Sequence, residues 1–434
     1  MSNVPNLRFK EFSGEWEEKT LGHLIKSLDA GVSVNSTDQV AKDGEKAILK
    51  TSCVSYGTFN INENKLVFEK NEISRLKESV KSNTIIISRM NTPALVGANA
   101  FVKYDNENIF LPDRLWAGKV KNTASPEWTA ILMSSSKIRT LLSARATGTS
   151  NSMKNITKGD VLTLPIVVPS KQEQEKIASF LTSVDTKIEQ LTKKEELLQQ
   201  YKKGVMQKIF NYENRKAKDN CLSLVDSEPK AMCGSTAGGI RFQADDGSKF
   251  CDWEEKKLDE IGIVITGKTP STANAELWDG NIEFITPTDI KDFKYQTRTA
   301  RTVTEKSNMK ILPVGSIIYT CIASIGKMSL STLPSITNQQ INSLIVNNKK
   351  YNNEFVYYAL LELTPYIKST QANTTLPIIN KTEFSRFSIN VPCLEEQTKI
   401  ANFLSSIDTK IEQVQKQLDS TKEFKKALLQ QMFV

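Results

Sequence analysis

The sequence predicts an α+β fold in which two tandem, strand-rich bodies of mixed α/β structure are each followed by a long coiled-coil helix. Three observations predict it. The chain repeats once along its length, each copy ends in an apolar seam with coiled-coil spacing, and each body carries short β-rich runs bounded by Gly, Asn, Ser and Pro.

The repeat is clearest at the ends of each copy. PSKQEQEKIASFLTSVDTKIEQ (169–190) matches PCLEEQTKIANFLSSIDTKIEQ (392–413) without a gap, and LRFKEFSGEWEEKTL (7–21) answers IRFQADDGSKFCDWEEKKL (240–258). Between these anchors the copies diverge. SNTIIISRMNTP (82–93) matches VGSIIYTCIASI, and LPDRLWAG (111–118) matches ITNQQINS, only by apolar pattern.

In chain order the elements are a first body at 1–168, a helix at 169–210, a polar, aperiodic linker at 211–239, a second body at 240–391 and a second helix at 392–434. KAILKTSCV, NKLVFEK, TIIIS, NAFVKY and LPIVVP read as strands of the first body. SPEWTAILMSSSKIRTLLSA (125–144) and EFVYYALLELTPYIKST (354–370) read as one helix in each body.

The first long helix places Ile177, Leu181, Val184, Ile188, Leu191, Leu198, Val205 and Ile209 at alternating spacings of four and three, interrupted at Glu195 and Lys202. The second repeats this with Ile400, Leu404, Ile407, Ile411, Val414, Leu418, Leu428 and Met432, interrupted at Thr421 and Lys425. Pro169 and Pro392 stand before the helices, where a helix starts but cannot run through. Forty residues at 1.5 Å each span roughly 60 Å. A seam of that length needs a partner helix. A homodimeric coiled coil would supply one, but the chain already holds two seams of equal length and matched register, which favours pairing within it. Asp185 and Asp408 recur in the two SxDTKIEQ stretches, off the seam positions, and read as solvent-facing charge or protein contacts rather than a catalytic carboxylate pair.

Composition excludes several function classes. The 434 residues are 39% hydrophobic and 24% charged, and no run approaches eighteen apolar residues. MSNVPNLRFK lacks the apolar core of a signal peptide, so a soluble cytoplasmic protein without a membrane role is expected. The six cysteines form no C-x-x-C pair and His23 is the only histidine, which argues against zinc, disulfide staples and histidine-based catalysis. The net charge of +8 leans toward an acidic partner. Residues 137–160 hold five basic residues and one acid, and residues 286–310 hold six and three, mixed with hydroxyl and amide side chains suited either to phosphate contacts or to an ordinary solvated surface.

One stretch invites a different reading. GIVITGKT (262–269) spells the phosphate-loop pattern G-x-x-x-x-G-K-[ST], which requires a strand before the first glycine and a helix beginning at the lysine. WEEKKLDEI before it is charged and more helical than strand-like, IVIT is β-branched where small residues are wanted, and PSTANAELWDG after it lacks helical period. The first copy has LDAGVSVN at the same place, keeping Gly31 but not the lysine and threonine. Context therefore argues against a nucleotide site. There is likewise no G-x-S-x-G elbow and no H-E-x-x-H helix.

Two divergent bodies, each opened by an RF…WEEK-L segment and closed by a P…EQ-KIA-FL-S-D-KIEQ helix, resemble the specificity subunit of type I restriction-modification systems. TGKTPS (266–271) is similar to the T-G-G-T-P-S segment of that family's target-recognition domains, with Lys268 where glycine is usual. The resemblance implies two target-recognition domains that bind the halves of a bipartite site on double-stranded DNA. It also implies that the two helices pack antiparallel as a spacer, docking two methyltransferase subunits and, through them, two motor-nuclease subunits. It implies a non-catalytic chain, with S-adenosylmethionine, ATP and magnesium on the partner subunits.

Under this resemblance the candidate DNA contacts are polar residues lying between apolar runs. In the first body they are Lys50, Ser52, Arg89, Asn91, Asp113, Arg114, Ser150, Asn151 and Lys154. In the second they are Lys268, Thr269, Ser271, Thr286, Thr288, Ser324, Lys327, Asn338, Gln339, Gln340, Asn342, Thr374 and Thr375. Arg89, Asn91, Asp113 and Arg114 stand where the second body has Cys321, Ala323, Gln339 and Gln340, so the half-sites are expected to differ. Two other classes of function stay open at this point, a phosphate-loop ATPase and a coiled-coil adaptor without a DNA role.

Overall fold

The computed structural model describes residues 3–150, 152–210, 220–221, 240–291, 293–307, 309–371 and 377–433. Asn151, Thr374, Thr375 and most of the 211–239 linker lie outside the described residues. The chain divides into two units, Met1–Thr192 with Lys416–Val434 and Lys193–Gln415, so each long helix contributes to both.

In the first unit the main strands are β1 (Glu17–Thr20), β2 (Ile25–Ala30), β3 (Thr84–Ser88), β4 (Met90–Asn91), β5 (Asn99–Phe101), β6 (Leu115–Val120), β7 (Met153–Asn155) and β8 (Pro165–Val168). An antiparallel sheet runs β5-β3-β6-β2. A second four-stranded sheet holds Asn64–Leu66, Ala47–Leu49, Asn106–Phe110 and Ser79–Val80. The expected single helix at 125–144 is two, α1 (Pro126–Ser134) and α2 (Ser136–Arg145). The reason is Ser135, which takes an extended conformation, ends the first helix and accepts a hydrogen bond from the Ile138 amide to start the second. NKLVFEK is a strand only over Asn64–Leu66, and a short helix begins at Lys70.

In the second unit the strands are β9 (Glu254–Lys257), β10 (Gly262–Thr266), β11 (Ile317–Thr320), β12 (Met328–Ser331), β13 (Ile341–Val346) and β14 (Ser388–Val391). The order β10-β13-β11-β12 repeats the β2-β6-β3-β5 order of the first unit, with Tyr295–Gln296 added at the β12 edge. WEEKKLDEI is divided evenly: Glu254–Lys257 is a strand because it pairs antiparallel with Ser388–Val391, and Leu258–Ile261 forms one helical turn.

The long helices are α3 (Lys171–Phe210) and α5 (Leu394–Gln431), and α4 (Asn353–Thr370) packs within the second body. In the first unit Ile177, Leu181 and Val184 share one core with Leu428 and Met432. In the second unit Val205 and Ile209 share one with Ile400, Leu404, Ile407 and Ile411. The start of α3 meets the end of α5, and the end of α3 meets the start of α5, so the helices run antiparallel. Leu191, Val414 and Leu418 are also buried, and Ile188 and Leu198 are half-buried. At about 1.5–3 kcal/mol for each fully buried Leu or Ile, the seam outweighs any helix propensity of its residues.

The fixed anchors of the repeat meet in space. β1 pairs antiparallel with β8, and β9 with β14, so each body's opening strand lies beside the strand that leads into its helix. Arg8 donates from Nε and Nη2 to the two carboxylate oxygens of Glu173 at 2.7 and 2.8 Å, and Trp16 Nε1 donates at 3.3 Å. Arg241, Glu396 and Trp253 repeat this arrangement at 3.0, 3.2 and 3.2 Å. The neighbouring glutamines repeat too. Gln174 Oε1 accepts from the Ser125 amide at 2.9 Å and Gln397 Oε1 from the Asn352 amide at 2.8 Å, each holding the N-cap of the body's helix. The R…W and EQ letters of the repeat thus form a buried clamp between a body and its own spacer helix.

Candidate nucleic-acid interface

The ends of the central strands carry most of the candidate residues, and the two bodies build these ends alike. Arg89 follows β3; its amide donates to the Arg114 carbonyl at 3.0 Å and its carbonyl accepts from the Ile156 amide at 2.9 Å. Cys321 follows β11; its amide donates to Gln340 at 2.8 Å and its carbonyl accepts from Ile379 at 2.9 Å. Gly31 and Gly267 follow β2 and β10. A Cβ on Gly31 would lie 1.6 Å from the Leu111 carbonyl oxygen, and one on Gly267 would lie 2.2 Å from that of Asn338, so the crossing backbone leaves room only for glycine. Two residues on, Ser33 donates to Asp113, and Thr269 donates to Gln339 Oε1 at 2.7 Å.

The first body gathers Arg89, Asn91, Asp113, Arg114 and Lys154 at this end. Asn91 and Lys154 are register partners on β4 and β7, with Thr147–Ser150 as the third strand of that small sheet. Asp113 and Arg114 are exposed. The Arg89 guanidinium lies 5.7 Å from the ring centroid of buried Trp116. Ser150 belongs to the small sheet by its backbone. Lys50 and Ser52 belong elsewhere: the Lys50 amide bonds Glu63 and Lys50 caps a short turn at Thr51–Cys53, while Ser52 Oγ donates to Glu63 at 2.7 Å.

The second body gathers Lys268, Thr269, Asn338, Gln339 and Gln340. The Lys268 amide donates to the Thr337 carbonyl at 2.9 Å and its side chain is exposed. Asn338 Nδ2 donates to Gln340 Oε1 at 3.1 Å. Ser324 and exposed Lys327 line an open depression of about 450 Å³ shared with Lys368. Ser271 is exposed, and its carbonyl accepts from Trp278 Nε1 at 3.1 Å. Asn342 is buried instead. Its amide donates to Cys321 Sγ and the Ile379 carbonyl, both at 3.2 Å, and its oxygen accepts from Thr266 at 2.7 Å, so its hydrogen-bonding capacity is spent inside the body. Burial pushes the Cys321 thiol up to about 12. Thr286 donates to Asp289 at 2.6 Å and lies 2.8 Å from the Thr288 hydroxyl, which makes this pair a turn-stabilising unit.

This geometry also disposes of the phosphate-loop reading. Gly262–Thr266 is strand rather than loop, and after Lys268 comes only a three-residue turn at Ala275–Leu277, with no helix N-terminus to receive a phosphate. Among the described residues no group of three or more His, Cys, Asp or Glu could hold a metal, and no helix is long and apolar enough to cross a membrane.

The model of the type I restriction modification DNA specificity domain matches residues 13–199 and again 251–421. This chain belongs to that family. A relative in this specificity family, the type I restriction enzyme HindI specificity subunit of Haemophilus influenzae, is 25% identical over 88% of this chain and 90% of its own length. The MjaIX specificity subunit of Methanocaldococcus jannaschii is 34% identical, over 42% of this chain and 44% of its own. Among solved structures, a type I restriction-modification S subunit from M. genitalium superposes with a TM-score of 0.62 at 16% identity, covering 99% of both chains. The chain is thus a type I specificity subunit with DNA recognition as its role. Sequence reasoning missed Ser33, which bonds the candidate Asp113, and Trp116, which lies under the candidate Arg89. Ser33 is legible as the counterpart of Thr269, whereas Trp116 sits inside a strand and only the tertiary fold shows that it meets Arg89.

Proposed function

We propose that each body reads one half of a bipartite target on duplex DNA, with the paired helices setting the distance between the halves. The observation that carries this reading is that both bodies hold the same backbone frame at the ends of their central strands while presenting different side chains there. A common frame with different side chains suits two readers of different half-sites. Readers on one face of a duplex meet it about every 34–36 Å, and a stiff helix pair holds such a separation better than a flexible linker. In this reading the helices also dock two methyltransferase subunits and, through them, two motor-nuclease subunits. S-adenosylmethionine, ATP and magnesium then belong to those subunits, and the assembly works in the cytoplasm.

The test exchanges residues 1–160 for the matching body of a relative and sequences methylated adenines in cells that also carry the methyltransferase. One half of the methylated motif changes and the other half and the spacer stay; a change in both halves sinks the model of independent readers.

A further inference from the structure

Resting on that reading, we propose that Arg89, held over Trp116, is the residue by which the first body selects a guanine in the major groove. The two bodies differ here in a way that points to a missing partner. In the second body the residues equivalent to Arg89 and Trp116 are Cys321 and Asn342, and they bond one another and Thr266. That site is closed upon itself. In the first body Arg89 Nε and Trp116 Nε1, on side chains that lie one over the other, are both buried without a hydrogen-bond partner. Buried polar groups are almost always paired, and leaving both unpaired in one place is disfavoured unless something else completes them.

The chemistry of the arginine fits a G·C pair, since guanine offers two adjacent acceptors, N7 and O6, which match its fork. Trp116 is a positioning residue. Its ring lies under the guanidinium at 5.7 Å, and the Arg89 backbone is pinned on both sides by Arg114 and Ile156, so the fork is oriented before DNA arrives. Arg89 is only half-buried, so its outer nitrogens are accessible from the strand-end surface that also carries Asn91 and Lys154.

The experiment selects bound sequences from random duplexes with the full-length chain, comparing the parent with Arg89→Gln and Arg89→Lys at matched melting temperature. In both variants guanine preference at a single base pair of one half-site falls roughly 5- to 150-fold, the span of a bidentate arginine contact, while all other positions keep their preference. Arg89→Lys retains its affinity for duplexes lacking that guanine, having the charge without the fork. Unchanged preferences overturn the assignment, as does a change at an A·T pair. Uniform weakening of all sequences with a shallower salt dependence also overturns it, since that marks a phosphate contact. If only Arg89→Lys folds, its guanine preference decides alone. Should the parent chain enrich no sequence, the DNA-reading proposal itself fails; enrichment indifferent to Arg89 removes only this inference.

Discussion

Lys202 Nζ lies 2.5 Å from Asp408 Oδ1, with the two side chains only 16% and 12% exposed. The repeat makes the same pair at the other end: Lys425 lies 2.5 Å from Asp185, with 31% and 36% exposed. The lysines that interrupt each apolar seam are therefore the partners of the aspartates on the opposite helix.

The two pairs differ in burial, and their energetic weight follows. Lys202→Ala leaves Asp408 buried with only the Tyr358 hydroxyl, which donates at 2.5 Å, and costs about 3 kcal/mol. Lys425→Ala costs about 1 kcal/mol or less, since solvent screens the remaining charge. Urea midpoints of the two variants check this; equal shifts would show that burial is not what separates them.

The Arg241–Glu396 clamp is more demanding. Glu396 is fully buried and Arg241 largely so. Arg241→Met strands a buried carboxylate and costs about 3–5 kcal/mol, whereas replacing both residues by Met and Leu restores much of the loss. A double-mutant cycle on thermal unfolding measures the coupling, and a double variant as unstable as the sum of the singles contradicts it.

Glycine at 31 and 267 is required by the carbonyls that cross above it. Gly31→Ala forces the Leu111 segment away and with it Asp113 and Arg114, and Gly267→Ala does the same to Asn338 and Gln339. Each variant is expected to lose stability and to lose recognition of its own half-site only. Target selection with each variant reads this directly, and a loss in the opposite half would refute it.

Lys268 is exposed at the strand end, where a phosphate of DNA can reach it. Lys268→Ala weakens duplex binding about equally for every sequence and lowers the salt slope by about one. Titration of the parent chain with ATP gives no binding; saturable binding abolished by this substitution would restore the phosphate-loop reading.

What could be read from sequence was what is local or repeated. The seam from Ile177 to Val205 declares itself by spacing, and the R…W and EQ anchors by recurrence. Even the weak match of Arg89 with Cys321 corresponds to a shared pair of backbone hydrogen bonds. Tertiary packing decided the rest. Asn342 is polar and flanks a loop, yet it sits on the central β13 strand with its amide consumed, while Trp116 at the same position of β6 is apolar by type and carries an unsatisfied N–H. The break at Ser135 is not legible in the sequence, because three serines in a row suit a helix surface as well as a cap.

The pairing of β1 with β8, and of β9 with β14, means that the chain enters and leaves each body at one doorway. Everything between the two strands is an excursion whose ends are already fastened. An exchange confined to the chain between the two strands would therefore replace one body whole and leave the strand pairing and clamp of the other untouched. A new recognition sequence can then arise in a single genetic exchange, without the stepwise remodelling that a continuous DNA-binding surface would demand.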